Sequence, residues 1–181
     1  PFEDYIGELF RAEGKKARVR EIIKGRCVEH EVDVVVEGNE KIFVETKFHN
    51  AAGFKTDLKV VLYVQARVDD IGGGRGLVVT NTKFTSKAIE YSTCKGLELL
   101  GWDYPQGKTL HDRIETAGLY PVTALTSLSR SEKMALLSQR VVLCKALPDK
   151  GDALRQAGVS GSKADRVLEE VGALCVPGQG V

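Results

Sequence analysis

Apolar residues recur along the chain in two periods, and each period predicts a different kind of element. Near the N-terminus Phe2, Ile6, Leu9 and Phe10 follow helical spacing, which predicts an amphipathic helix. Gly14 lies just past them, at a position where glycine typically ends a helix. The chain is therefore expected to open with a helix that buries one side.

The segments that follow have the two-residue period of strands. We predict strands in "ARVREIIKGRC" (17–27), "HEVDVVVEGNE" (30–40) and "KIFVETK" (41–47). In the second of them, alternation places Val32, Val34 and Val36 on one side and Asp33 with Val35 on the other. Turn residues in "EGNEK" join the second strand to the third. A meander of three strands behind the first helix is the expected arrangement.

Helical and extended segments then alternate. Residues 57–69 are predicted to form a helix whose apolar side includes Leu62, and residues 76–81 a buried parallel strand. A second helix is expected in residues 85–96, with Thr85 or Ser86 as its N-cap, before a short strand in residues 97–102. This order predicts an α/β fold, a mixed sheet with helices on both faces.

The pattern changes after residue 104. Short helical pieces separated by Pro and Gly are followed by longer helical segments from Ser129 onward. We place a subdomain boundary near residues 104–107, which gives a core of residues 1–104 and a helical extension of residues 105–181. The final "VPGQGV" is expected to be a loose tail.

Composition narrows the class of protein. Hydrophobic residues make up 43% and charged residues 28% of the 181 residues, which is a globular balance. No apolar run approaches the about 20 residues of a membrane helix, so a membrane partner is not expected. The four cysteines form no C-x-x-C pair, which argues against a structural zinc site. We expect them to be buried small side chains in a reducing, cytoplasmic compartment.

Positive charge is concentrated in one short stretch, although the net charge of the chain is only +1. Glu21 is the one acidic residue inside that stretch. Two interpretations stay open: an edge strand protected by its charges, or a strip that faces the phosphates of DNA. The basic residues are Lys15, Lys16, Arg18, Arg20, Lys24 and Arg26.

The candidate chemistry lies in the second and third strands. If residues 38–40 form the hairpin loop, Asp33 falls opposite Glu45, and Lys47 lies on the same face as Glu45. Opposed carboxylates about 5 Å apart repel each other unless a cation lies between them. With the Thr46 carbonyl and waters, their oxygens suit Mg²⁺ or Mn²⁺.

A lysine beside such a cation has a clear chemical use. Its ammonium can orient a water or balance the charge of a pentacovalent phosphate, while the metal polarises a phosphoryl oxygen. Asp33, Glu45 and Lys47 on one hairpin therefore favour phosphodiester hydrolysis. The alternative is a structural charge network on an exposed sheet face, but the apolar neighbours of Glu45 suggest that the strand lies inside the sheet, where charges without function are costly.

These residues also carry a family resemblance. Asp33 followed by Glu45-Thr46-Lys47 resembles the bipartite motif of the PD-(D/E)XK nuclease superfamily, with Val32 where some members have Pro. "FEDYIGELFRAEG" is similar to the first helix of Mrr-type restriction endonucleases and the related archaeal Holliday junction resolvases. "GLVVTNTKFTSKAIEY" is similar to the Mrr segment in which a strand gives way to a helix. The resemblance covers roughly Phe2 to Trp102 and implies a restriction-endonuclease-like fold for that part.

The resemblance also implies roles for residues outside the motif. A glutamate of the first helix often joins the metal site in this family, and Glu3 fits better than Glu8 or Glu13 by helical position. The alternative is that Glu3 only complements the helix dipole. Relatives often place a Gln or Lys on the next helix, which points to Gln65, unless that residue is simply a solvated helix position.

The helical extension contains one candidate motif. "LRQAGVSGSKADRVLEEVG" resembles a helix-hairpin-helix element, whose turn binds a DNA phosphate through backbone amides. Lys163 would add a phosphate contact. An ordinary helical hairpin that packs on the core is the alternative.

The sequence thus predicts a metal-dependent DNA endonuclease of the restriction or defence type. The rival hypotheses are a structure-selective junction resolvase, which would have to form a homodimer, and an inactive DNA-binding module. Some similar bacterial proteins join this nuclease to an ATP-cone domain. The start at Pro1, without Met, is consistent with a piece of such a longer chain.

Overall fold

A computed structural model describes residues 1–51 and 53–175, so the predicted loose tail at 176–181 lies outside the described residues. The chain packs as two compact units. One comprises residues 2–113, and the other comprises the described residues from Ile114 onward together with Pro1. The predicted boundary after residue 104 stays a prediction of domain organisation. Within the described residues, no helix is long and apolar enough to span a membrane.

The first unit alternates helices and strands in the predicted order, with two short strands added. Its elements are α1 (Phe2–Ala12), β1 (Lys16–Lys24), β2 (Glu29–Glu37), β3 (Lys41–Lys47), β4 (Lys55–Thr56), α2 (Leu58–Ile71), β5 (Gly74–Thr80), β6 (Lys83–Phe84), α3 (Ser86–Lys95) and β7 (Glu98–Leu100). Thr85 caps α3, because its side chain accepts a hydrogen bond from the backbone N–H of Ala88. The predicted N-cap is therefore confirmed.

The mixed sheet predicted from the sequence is confirmed. Its five strands run in the order β1-β2-β3-β5-β7. β1, β2 and β3 are antiparallel neighbours, whereas β5 lies parallel to β3 and to β7. β4 and β6 form a separate parallel pair. β1 lies at the edge of the sheet, so the edge-strand interpretation of its charges agrees with its place.

Helices cover the sheet. α1 packs on β1, β2 and β3, while α2 packs on β5 and on α3. The core beneath α2 and α3 collects side chains of five strands and both helices. Its larger members are Val32, Val35, Phe43, Val61, Val64, Val68, Val78, Phe84, Leu97 and Leu99.

Two sequence expectations about faces are wrong. Val32 and Val35 join the same core cluster, so the strict alternation predicted for β2 breaks at Asp33. At the same place the β1–β2 ladder skips from Val19–Val34 to Glu21–Val32, and Arg20 has a φ of 55°. Leu62, expected on the apolar side of α2, is exposed.

The second unit is helical, as predicted for the extension. Its helices are α5 (Arg130–Ser138), α6 (Gly151–Gln156) and α7 (Ser162–Leu174), while α4 (Leu110–Ala117) crosses the division between units. A core of small and medium apolar side chains includes Leu125, Leu136, Cys144 and Val167. Cys144 is buried as expected, but Cys27 and Cys94 are exposed.

Candidate active site

Asp33 and Glu45 lie where β2 and β3 stop pairing. The ladder joins Val36 to Ile42 and ends at Val34 and Val44, so Asp33 and Glu45 come next on their strands. This confirms the predicted register and the loop of residues 38–40. The Asp33 carboxylate reaches across to β3, where Oδ2 accepts hydrogen bonds from the Thr46 backbone N–H at 2.7 Å and from Thr46 Oγ1 at 3.0 Å. Asp33 thus closes the hairpin at the point where the backbone ladder ends.

Both oxygens of the buried Glu45 carboxylate are paired with cations. Oε1 lies 2.6 Å from Lys47 Nζ, and Oε2 accepts a hydrogen bond from Arg67 Nη1 at 2.6 Å. The side chain of Lys47 is 37% exposed and that of Arg67 only 6%. The site is therefore a buried carboxylate between one accessible and one buried cation.

Sequence reasoning missed Arg67. The guanidinium also donates to Tyr63 OH at 2.6 Å, but its Nε has no partner among the described residues. Burial acts to lower the pKa of Arg67, yet the Tyr63 hydrogen bond and the Glu45 charge outweigh it and the pKa is raised. The signal was present: Arg67 follows Val64 by three residues on the buried side of α2, where a charge needs a partner.

Burial raises the pKa of the Asp33 carboxyl. The Thr46 backbone N–H opposes this shift, while the nearby charges of Glu45 and Glu3 add to it. Glu3 also lies 3.4 Å from Arg20, which binds Asp4 more closely at 2.6 Å. Glu3 therefore lies near enough to Asp33 to act on its pKa, and its role at a metal site stays a prediction.

The donor set fits a hard divalent cation. Asp33 Oδ1 accepts no hydrogen bond from any described residue, and Lys47, which pairs with Glu45 Oε1, is a partly exposed side chain. Carboxylate and carbonyl oxygens are the ligands that Mg²⁺ and Mn²⁺ prefer. Among the described residues no group of three or more His, Cys, Asp or Glu side chains could hold a metal ion, so a cation here would depend on two carboxylates, the Thr46 carbonyl and water.

Among the described residues, no hydrogen bond joins Gln65 to this cluster. Its side-chain amide donates to Asp69 Oδ1 at 2.8 Å, one turn further along α2. Arg67, two residues later on the same helix, donates a hydrogen bond to Glu45. The family-based role of Gln65 stays a prediction.

The basic residues proposed to contact DNA differ in how far they are already paired. Lys15 and Lys16 are exposed, and no ion pair joins either of them to a described residue. Arg18 lies 2.7 Å from Glu37 and 3.2 Å from Glu21, and Arg20 pairs with α1. Lys15 and Lys16 are therefore more available than Arg18 and Arg20 for the predicted phosphate contacts.

Lys163, the candidate in the helical unit, is engaged with Glu132. Its Nζ donates to both carboxylate oxygens at 2.7 Å. Glu132 also completes the capping box of α5 with Ser129, and the hydrogen bond from Lys163 lowers the pKa of Glu132 to about 2. A phosphate contact by Lys163 would have to compete with this pair.

Comparison with known proteins adds independent findings. The family model described as "Restriction endonuclease" matches residues 1–106, and the model described as "AF1548-like, C-terminal" matches residues 120–175. An uncharacterized protein of Archaeoglobus fulgidus is 35% identical over 170 residues, which cover 91% of this chain and 97% of that protein.

Solved structures are similar as well. The crystal structure of a protein of unknown function, AF1548, matches with a TM-score of 0.78 and 32% identity, and the match covers 96% of both chains. A repair endonuclease from Pyrococcus abyssi matches 54% of this chain and 43% of its own, with a TM-score of 0.42 and 23% identity.

Proposed function

Since this chain belongs to the restriction endonuclease family whose model matches residues 1–106, we propose that it is a metal-dependent endonuclease that hydrolyses DNA phosphodiester bonds. The observation that carries the proposal is the cluster at the end of β3. Asp33 on β2 accepts a hydrogen bond from Thr46 on the neighbouring β3, and Glu45 forms an ion pair with Lys47 within β3. This is the order and spacing of the nuclease motif, with the lysine reaching the surface.

Each residue has a distinct task in this proposal. Asp33 Oδ1, one Glu45 oxygen and the Thr46 carbonyl would hold Mg²⁺, with Mn²⁺ as a substitute, and Glu3 would act through water. A bound divalent cation would polarise the scissile phosphoryl group. Lys47 orients the attacking water or neutralises charge that develops on the phosphate. Arg67 fixes the rotamer of Glu45 from the buried side.

The DNA-facing surface is proposed to include the start of β1. Lys15 and Lys16 would contact phosphates by charge alone, without reading sequence. Arg18 and Arg20 would join them only by exchanging their present carboxylate partners. The free, dispersed cysteines fit a reducing, cytoplasmic compartment. A homodimer, a restriction or defence role, and an attached ATP-cone domain stay predictions.

The test is a cleavage assay with Mg²⁺ or with EDTA on linear, modified and four-way-junction DNA. We expect Mg²⁺-dependent cleavage by the wild type and its loss in Asp33→Ala and Lys47→Ala. Lys41→Ala is the matched control, because Lys41 is an exposed lysine at the other end of the same strand. Junction-only cleavage would indicate the resolvase instead. Binding without cleavage, unchanged by metal, would show an inactive DNA-binding module.

A further inference from the structure

Exposed apolar side chains are concentrated just beyond the strand that carries Glu45 and Lys47. Of the eight large hydrophobic side chains that are exposed in the described part of the chain, four lie between residues 48 and 63. Two of them, Phe48 and Phe54, belong to the segment that follows β3. Such a concentration commonly marks a binding surface.

The ring of Phe54 is exposed yet held in place. Its side chain is among the most exposed of the eight, at 63%, and it lies parallel to the His49 ring, with centroids 5.9 Å apart and planes 9° apart. His49 is fixed in turn, because its Nε2 lies 3.2 Å from Thr56 Oγ1. The Asn81 side chain also bonds the N–H and the C=O of His49, at 2.8 Å each. The pair therefore presents an ordered aromatic face to solvent.

Lysines lie next to Phe54 in the chain and in strand register, and their charges are not fully compensated. Lys55 follows Phe54 directly and is the register partner of Lys83 in the β4–β6 pair. Lys83 comes only within 3.9 Å of Asp103, and both side chains are mostly exposed. No described residue forms an ion pair with Lys55 or with Lys59, in the first turn of α2. Like charges on paired strands repel, and a polyanion would relieve that repulsion.

We propose that Phe54, supported by His49 and flanked by Lys55 and Lys83, binds an unpaired nucleotide of the DNA substrate. The base would stack on the open face of Phe54, and the lysines would contact the adjacent phosphates. This inference rests on the proposed nuclease function, because it names the class of DNA that the site accepts.

The geometry favours single-stranded DNA over other occupants. In a duplex each base face is covered by its neighbours, so an aromatic ring can accept a base only where the strand is unpaired or the base is flipped out. The core of a protein–protein interface is depleted in lysine, whereas here Lys55 follows Phe54 directly and has Lys83 as its register partner. His49 lies two residues beyond Lys47, about 7 Å along an extended chain. The substrate class is therefore DNA with an unpaired segment beside the cut, such as a flap, a bubble or a single-stranded end.

The test measures binding in EDTA, so that cleavage plays no part. Fluorescence anisotropy compares a labelled 15-nucleotide oligo(dT) with a blunt 15-base-pair duplex, at one salt concentration, for the wild type and three variants. Phe54→Leu keeps an apolar side chain but removes the ring, Phe54→Trp restores a ring, and Val28→Ala alters a side chain of similar exposure, 58%, in the β1–β2 turn. Thermal unfolding of each variant checks that the fold is intact.

We expect Phe54→Leu to weaken binding of oligo(dT) about tenfold and binding of the duplex less than twofold, because one stacked base is lost. Phe54→Trp should bind as tightly as the wild type, and Val28→Ala should be unchanged. Unchanged oligo(dT) affinity in Phe54→Leu, or an equal loss for both DNAs, would overturn the proposal. A second result would also overturn it. If light scattering shows that the wild type is a dimer and Phe54→Leu is a monomer, while both bind oligo(dT) equally well, the surface serves self-association.

These outcomes separate this inference from the proposed function. If oligo(dT) binding depends on Phe54 but the wild type cleaves no DNA with Mg²⁺, the stacking surface is supported and the proposed nuclease function is rejected. If cleavage requires Lys47 but oligo(dT) binding does not depend on Phe54, the nuclease function is supported and the stacking surface is rejected.

Discussion

Replacing Arg67 by methionine tests whether the buried ion pair organises the site. Methionine retains much of the length of the side chain, so packing changes little. What is lost is the 2.6 Å hydrogen bond to Glu45 Oε2 and the one to Tyr63. Glu45 then keeps only Lys47 as a cationic partner, and that lysine is partly in solvent.

The expected loss is large because the pair is buried. Removing Arg67 leaves Glu45 Oε2 without its buried partner, and the loss of one partner from a buried pair typically costs about 3–5 kcal/mol. For a chain of 181 residues this corresponds to a fall in melting temperature of about 10 °C. The exposed pair of Arg18 and Glu37, at a similar 2.7 Å, gives a matched control, because such a pair contributes only about 0–1 kcal/mol.

Urea unfolding of Arg67→Met, Glu45→Gln, the double variant and Arg18→Met measures these free energies. The double variant should be less destabilised than the sum of its parts by about 2 kcal/mol, because it removes both charges together. A loss below about 1 kcal/mol in Arg67→Met, similar to that of Arg18→Met, would show that Glu45 needs no buried partner. Additive single and double variants would refute the coupling itself.

Three further predictions concern other parts of the chain. The pKa of Asp33 is raised in the fold, so the free energy of unfolding of the wild type should fall as pH rises from 3.8 through that raised value. Asp33→Asn should abolish this fall and be at least as stable as the wild type at pH 7. Urea unfolding in which the wild type is the more stable protein at pH 7 would contradict this prediction. Although burial opposes the shift, hydrogen bonds from Ser127 and Thr126 lower the pKa of Glu170 to about 2. The contribution of Glu170 to the free energy of unfolding should therefore be full above pH 4.5 and be lost as pH falls towards 2. Glu170→Gln should lower that free energy by about 2 kcal/mol at pH 7, and an equal loss at pH 2 would argue against this prediction. A Cβ on Gly74 would lie 2.6 Å from Phe43 Cε2 and 2.7 Å from the Lys41 carbonyl oxygen. Gly74→Ala should therefore lower the free energy of unfolding by about 1–3 kcal/mol, whereas Gly53→Ala, at a position with open space around it, should not. Equal melting temperatures of the two variants would refute the clash.

Local pattern was sufficient for most of the first unit. The strand "KIFVETK" corresponds to β3 residue for residue, because turn residues bound it on one side and its apolar run is long enough for only one element. The same reasoning failed at β2, where the sheet buries valines on both faces and alternation carries little information. The two-residue strands β4 and β6 have no periodic signal, since they exist only through their mutual pairing.

The site was predictable only where strand register alone fixes position. Asp33 and Glu45 follow from the loop length, and Thr46 follows as the residue between the two motif positions. The contact between Arg67 and Glu45 depends on how α2 lies on the sheet, which no spacing within the helix determines. Gln65 was favoured by resemblance and its role stays a prediction, whereas the burial of Arg67 follows from the rotation of α2 on the sheet.

Charge balance at the site explains how Glu45 is stable in the fold and which partner can be exchanged. Two cations on one buried carboxylate satisfy both oxygens, so the fold needs no further charge there. A divalent cation at Glu45 must therefore take the place of Lys47 or Arg67. Lys47 is the one that can leave, because at 37% exposure its ammonium regains water, whereas Arg67 at 6% would be stranded. If the chain acts as proposed, the departure of Lys47 from Glu45 would free a Glu45 oxygen for the metal ion and leave the Lys47 ammonium available to contact a DNA phosphate.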